Sequence, residues 1–264
     1  AIRYAGGTVR FCDVDALAGL VSVRSLDERV QACSLTGRRP KVIIPVDLTG
    51  AVSDLPAAQA VARRVGATVI EDAAHSLGAS YEHEGRTYRA ASCAHADMAI
   101  LSFHPVKHIT SGEGGAITTN DDALYRELCD LRTHGITKDP TRLTRVDGPW
   151  YYEQRTLGFN YRITDLQCAL GSSQLAKLAR FITRRRAIAA RYDAAFASHE
   201  ERIRPLRVPR GVRSAYHLYV VRVVPRPGED TAQVKNRRRA LYAALAERKI
   251  FAQVHYIPVH RQPD

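Results

Sequence analysis

No segment of the 264-residue chain is long and apolar enough to cross a bilayer. The opening residues, Ala1–Phe11, lack the apolar core of a secretory leader. The five cysteines (Cys12, Cys33, Cys93, Cys129 and Cys168) are scattered, odd in number and form no CxxC pair. That spacing argues against a zinc site and still more against a disulfide framework. Reduced thiols in a cytoplasmic protein fit it best. The dinucleotide pattern GxGxxG and the P-loop pattern GxxxxGK(S/T) are both missing. There are no internal repeats or low-complexity tracts. Position 1 is not Met, so the chain is expected to be a fragment or to have a processed start.

What remains is ordinary globular material, 45% hydrophobic and 25% charged. The length suits one large domain, alone or with a smaller one. The net charge of +12 admits nucleic acid, a membrane surface or an anionic substrate as partner. The densest basic runs, Arg184–Arg186 and Arg237–Arg239, sit in helical patterns and read as solvated helix surface. No aromatic–basic interleaving of an RNA-binding type accompanies them. Nucleic acid and membrane are therefore not the expected partners.

Taken in order, Thr8–Val14 alternates and predicts a strand. Ser25 with Glu28 reads as a capping box that opens a helix over 25–32. The apolar run Lys41–Val46 predicts a buried strand, and Asp54–Val65 a helix with Leu55, Ala58, Val61, Ala62 and Val65 on one side. Thr68–Ile70 is the next strand and runs into Glu71–Asp72. This alternation predicts a mainly parallel sheet, which binds ligands beyond the carboxyl ends of its strands. A hairpin is expected around His83–Arg86, strands at Met98–Ser102 and Gly115–Thr119, and a helix over 122–133. Gly135–Gly158 is long enough for a functional or interface loop. Thr164 and Gln167 form a capping box before a helix that runs to about Phe196 with a break on the way. A strand at Ala215–Val224, a helix over 230–249 and a strand at Phe251–Tyr256 predict a smaller α+β domain beginning near residue 180.

The chemistry centres on Ala99–Ile117, AILSFHPVKHITSGEGGAI. Lys107 lies just past a strand end, between His104–Pro105 and a glycine turn. By itself it reads as a surface lysine. Its company points to a Schiff-base lysine, which must be held rigidly and kept partly unprotonated. Ser102 can offer a hydroxyl to a phosphate. Asp72 ends the preceding strand, where a carboxylate can pair a protonated pyridine nitrogen and keep that ring an electron sink. His75 can bond the ring hydroxyl. The competing reading makes Asp72 and His75 loop residues that cap a helix. Gly112–Gly115 leads into a strand rather than a helix, so it reads as a tight turn and not as a phosphate loop.

Three motifs, EDAAHSLGA (71–79), SFHPVKHITSGEGG (102–115) and LGFNYRITDLQCALG (157–171), closely resemble the DegT/StrS-type nucleotide-sugar aminotransferases. The likeness runs in order from Ile2 to Tyr256. It implies an α/β type I aminotransferase fold, with helices on both faces of the sheet, and a pyridoxal 5′-phosphate (PLP) cofactor. It also implies a homodimer with shared sites. By the same resemblance Lys107 is the covalent anchor. Asp72 pairs the pyridine nitrogen, His75 the phenolic oxygen and Ser102 the phosphate. Asn160 reaches the phosphate of the neighbouring subunit's cofactor. Gln253, Val254, His255 and Tyr256 line the sugar-nucleotide pocket. Read from the residues alone, Asn160 is equally a turn residue before a helix, and 253–256 an ordinary strand. The implied reaction moves an amino group from glutamate to C4 of a UDP-linked 4-keto-6-deoxy amino sugar.

The family carries a further N-terminal segment, on the order of a hundred residues at its usual size. That segment holds the helix N-terminus that cradles the phosphate and an aromatic that stacks on the ring. The chain is thus expected to be a large cofactor unit, 1–180, without its first segment, and an incomplete smaller unit, 181–264. Some relatives replace the lysine by histidine and act as dehydratases. Here His104 and His108 flank Lys107, but the lysine is present and favours transamination. The alternative is a catalytically silent regulatory or nucleic-acid-associated protein of the same fold, for which the charge is the only support.

Overall fold

The computed structural model describes residues 1–263. Helix α1 (Val23–Leu35) is capped by Ser22, whose side chain accepts from Ser25 N. Ser25 was the expected cap. Its hydroxyl instead accepts from Asp13 N at 2.8 Å, and Glu28 pairs with Arg24 one turn back. The strand expected over 8–14 does not form. Only Val14 bridges, to Val21. Strand β1 (Val42–Ile43) is shorter than its apolar run because Pro45 lacks a ladder donor, although Val46 still bridges Asp72. Helix α2 (Leu55–Arg63) is capped by Asp54 and has proline in its first turn, as the local sequence asks.

Strand β2 (Thr68–Asp72) carries Asp72 as its last residue. The hairpin of β3 (Ser80–His83) and β4 (Arg86–Arg89) follows, then β5 (Met98–Ser102) and β6 (Gly115–Thr118). The central sheet runs β1-β2-β5-β6. Its first two pairings are parallel, and β5–β6 is antiparallel. Leu26 and Val30 of α1 and Ala58, Val61 and Ala62 of α2 pack on Ile43, Val69 and Ala96, which covers one face. Each large aliphatic side chain in that layer contributes about 1.5–3 kcal/mol by leaving water. The opposite face carries Val42, Ile44, Val46 and Ile117, all exposed. Strand alternation puts Asp72 on this open side and Glu71 on the covered one.

Helix α3 (Asp122–Arg132) leads to a small ribbon, β7 (Ile136–Thr137) with β8 (Glu153–Gln154), inside the long 135–158 segment. The capping box at Thr164–Gln167 opens α4 (Asp165–Leu175), and α5 (Leu178–Phe196) follows after a break at Ala176–Lys177. Residue 180, the expected start of the smaller unit, falls inside α5. Strand β9 (Ile203–Pro205) precedes β10 (Val212–Arg213), which joins the β3–β4 hairpin as a third strand. The strand expected over 215–224 is only β11 (Val221–Val223), paired with β9. Residues 215–218 instead cross the loop at Thr49–Gly50 and bond to it, Ala215 N to Gly50 O and Leu218 N to Thr49 O. Helix α6 (Thr231–Glu247) has a complete capping box at Asp230–Gln233. The strand expected at Phe251–Tyr256 is irregular chain without a partner strand.

Arg185, Arg186 and Arg237 depart from the expected solvated surface, while Arg184 is exposed as expected. Arg185 donates to the carbonyls of Tyr216 and His217, each at 3.1 Å, and Arg186 to Ser214 O at 2.8 Å. Arg237 bonds Val224 O and Glu229. These guanidiniums satisfy carbonyls of irregular chain that no strand partner reaches.

Candidate active site

The loop between β5 and β6 is closed by its own backbone. Phe103 N donates to Gly114 O and Ser111 N to Phe103 O, and Lys107 N bonds His104 O at 2.9 Å. The glycine turn is required sterically. A Cβ on Gly114 would lie 2.6 Å from Ser111 Oγ, and one on Gly115 2.6 Å from Leu101 O. Gln167 of α4 reaches back to Glu113 O, tying the turn to the next motif. The lysine is thereby fixed at its backbone while its side chain stays half-buried.

Burial pushes the Lys107 amine below its usual range, and Asp72 partly opposes the shift. The two interact without a direct ion pair among the described residues. Asp72 is held by Asp72 N to Pro45 O at 2.9 Å, and its Oδ1 accepts from Ala74 N at 3.1 Å. His75 is buried beside them. Burial, then the charges of Lys107 and His255, lower it to about 4. Its Nδ1 is buried with no partner. The imidazole is therefore neutral near pH 7. Ser102 closes β5, and its hydroxyl lies 3.5 Å from His104 N.

Lys107, Asp72 and His75 thus come together, and Ser102 lies on the strand that leads into the lysine loop. Asn160 is exposed, with its backbone paired to Thr133. Of 253–256, only His255 is half-buried and acts electrostatically on His75. Two residues were not anticipated as site neighbours. His217 packs its ring 4.4 Å from His75, and His108 lies 5.3 Å from His217. The only sequence signal for His217 was a polar residue inside a run that reads as a strand.

The approach of His75 to His217 depends on Gly50. Its φ is +103°, and a Cβ there would lie 2.8 Å from both His75 O and Tyr216 N and 2.9 Å from His217 N. Gly50→Ala is expected to cost about 2–4 kcal/mol through strain and overpacking together. The urea midpoint of unfolding measures it; an unchanged midpoint would refute the crossing. Next to the same loop lies a pair of buried acids. Asp47 and Glu71 are both fully buried. Asp47 Oδ1 accepts from Ser53 N at 2.8 Å, and both Glu71 oxygens face Ala91 N at 3.0 Å. Burial, and then the charge of Glu71, push Asp47 well up, and burial raises Glu71 as well.

A cavity of about 560 Å³ lies elsewhere, lined by Leu20, Val52, Tyr81 and Arg207 among others. The site is therefore defined by its chemistry rather than by concavity. An amine lowered by burial, a carboxylate and a neutral imidazole converge at the end of a parallel strand pair. This is the class of an α/β domain built to hold an aldehyde cofactor on a lysine. The chain belongs to the DegT/DnrJ/EryC1/StrS aminotransferase family, whose model matches residues 1–264. PLP is the cofactor of that family.

An uncharacterized protein of Methanocaldococcus jannaschii is 32% identical over 253 residues, 96% of this chain and 61% of its own length. The crystal structure of a DegT DnrJ EryC1 StrS aminotransferase from Brucella abortus superposes with a TM-score of 0.82 at 30% identity, over 99% of this chain and 62% of that one. Helicobacter pylori PseC, an aminotransferase involved in the biosynthesis of pseudoaminic acid, gives a TM-score of 0.82 at 26% identity with the same coverage. The chain thus spans about three fifths of the length of these proteins.

The donor set fits PLP. Burial lowers the Lys107 amine, the direction that condensation with an aldehyde needs. Asp72 is the anion a pyridinium nitrogen needs, and the orphaned Nδ1 of His75 bears on the choice of tautomer. A lone pair is less costly to bury unpaired than an N–H. The proton then sits on Nε2, which leaves His75 a donor for a phenolate.

Proposed function

We propose that the protein this chain belongs to is a PLP-dependent transaminase for nucleotide sugars. It moves the amino group of glutamate to C4 of a UDP-linked 4-keto-6-deoxy amino sugar. The observation that carries the reading is the Lys107 amine, lowered by burial and set near Asp72 and neutral His75. When bound, PLP supplies an aldehyde for covalent attachment and an electron sink that acidifies the α C–H of the amino acid. Lys107 Nζ anchors the cofactor and, once displaced by substrate, carries the proton between carbon centres. Asp72 holds the ring nitrogen in its protonated form, His75 Nε2 donates to the ring oxygen, and Ser102 contacts the phosphate.

The motif likeness of HPVKHIT (104–110) and HYIP (255–258) favours the UDP-4-amino-4,6-dideoxy-N-acetyl-β-L-altrosamine transaminases of the pseudaminic acid pathway. The likeness in fold to Helicobacter pylori PseC, itself involved in pseudoaminic acid biosynthesis, supports the same reading. His255, close enough to act on His75, supports the Gln253–Tyr256 stretch as the sugar-nucleotide side of the site. The protein works in the cytoplasm as a homodimer, with Asn160 reaching the partner's cofactor phosphate. Supporting that assembly, Leu157 and Leu166, which flank Asn160, are 87% and 85% exposed. The deciding assay incubates the full-length protein with PLP, glutamate and a panel of UDP-ketosugars, and reads products by mass. The expected product is a 4-amino sugar with equimolar 2-oxoglutarate. An amino group at another carbon, or none, rejects the reading.

A further inference from the structure

Behind His75 the site continues inward as an array of imidazoles. His75, His217 and His108 are 9%, 8% and 4% exposed. Ring centroids are 4.4 Å apart for the first pair, tilted by 44°, and 5.3 Å for the second, tilted by 50°. His108 Nε2 lies 3.2 Å from Ala215 O, so this nitrogen carries the proton. His217 is locked from its backbone. Its carbonyl accepts from Arg185, the next residue's amide bonds Thr49 O, and its own amide is one of the atoms that crowd Gly50. Its Nδ1, like that of His75, is buried without a partner. An unpaired polar atom inside a protein is costly, and a matched pair of them next to the lysine calls for a reason.

We propose that His217 is a positioning residue for the Lys107 site, its ring backing His75 and fixing the plane and tautomer in which His75 meets the cofactor. A flat ring in contact leaves His75 one rotamer, and it excludes the water that would otherwise compete at Nδ1. With that nitrogen dry and unpaired, the proton of His75 stays on Nε2, the edge turned toward the cofactor. The charged and titratable groups that bear on the pair are Lys107 and His255 for His75, and His108, Lys107 and Arg185 for His217. None of these is an acid; Asp72, the nearby carboxylate of the site, acts on Lys107. This role rests on Lys107 being the PLP anchor.

The test follows ring ¹⁵N signals of the cofactor-free, full-length protein from pH 3 to 8, alongside PLP affinity. His217→Ala is expected to raise the His75 midpoint by about one pH unit and to mix its tautomers, as water reaches Nδ1. PLP binding should weaken about 10–100-fold, the usual cost of losing an orienting neighbour. His217→Phe keeps the flat ring and should restore PLP affinity to within about threefold of wild type. If His217→Ala does not fold, the comparison is made with His217→Phe and His217→Asn, of which only the asparagine should raise the midpoint. An unchanged His75 midpoint and tautomer in the variants lacking the ring overturns the proposal, as does unchanged PLP affinity. If His75 shifts as stated but the wild type binds no PLP, the orienting contact stands and the cofactor reading fails.

Discussion

Lys107→Ala is expected to lower turnover about 10,000-fold or more while the protein stays folded. Two functions are lost together. The covalent anchor disappears, and with it the base that moves the proton, a role worth about 100–10,000-fold by itself. The fold should barely respond, because among the described residues only the backbone of Lys107 makes a hydrogen bond, to His104 O. A change within about 1 kcal/mol in unfolding free energy is expected for a half-buried side chain without such a bond. Lys107→Arg is expected to fail equally, since a guanidinium stays protonated and cannot condense. Single-turnover mass spectrometry with glutamate and PLP reads the loss, and small added amines should return part of the rate. Turnover within tenfold of wild type in either variant would remove Lys107 from the chemistry.

The second large effect belongs to Asp47. Asp47→Ala is expected to destabilise the protein by about 2–4 kcal/mol, because the buried Ser53 N loses its acceptor and a cavity opens at a fully buried position. Asp47→Asn should behave oppositely with pH. The amide can accept from Ser53 N as the carboxyl does, but it cannot ionise. In the wild type the folded-state pKa of Asp47 lies above its unfolded value, through burial and then the nearby Glu71 charge. The folded chain then binds a proton that the unfolded chain has released. That contribution is fully present below the unfolded pKa near 3.8 and is lost as pH rises toward the folded value. The limiting slope for one proton is about 1.4 kcal/mol per pH unit. Urea unfolding at pH 5 and pH 8 should show the wild type losing stability relative to Asp47→Asn. Parallel pH profiles for the two proteins would show that no proton is taken up at Asp47 on folding.

What was legible in the chain follows the range of the forces involved. Asp54 before Leu55–Pro56, Thr164 with Gln167, the turn at Glu84–Gly85 and the strand Met98–Ser102 are set by neighbours within a few residues, and the structure has them where local rules put them. The lysine loop was readable for the same reason. Errors arose where local preference met a distant competitor. Ala215–Val220 alternates like a strand, yet its first amide is taken by Gly50 O, and Arg185 takes the carbonyls of Tyr216 and His217. Phe251–Tyr256 has strand composition but no strand alongside it. Arg185 and Arg186 look like surface in a helical wheel, and only the fold reveals the carbonyls they serve. His217 was missed because no spacing rule connects it to His75.

The two halves of the site differ in how far along the chain they must reach. The lysine loop is closed by the short antiparallel turn from β5 to β6, a contact whose entropy cost is small. The histidine array depends on His108 meeting Ala215, 107 residues away. Local closures form early in folding and long-range ones late. The lysine loop is therefore expected to close before the proposed orienting wall forms, and the array is complete only when residues 214–218 settle over Gly50. Cofactor affinity becomes a gauge of finished folding, since a chain arrested before that step would present the lysine without the histidine wall behind it.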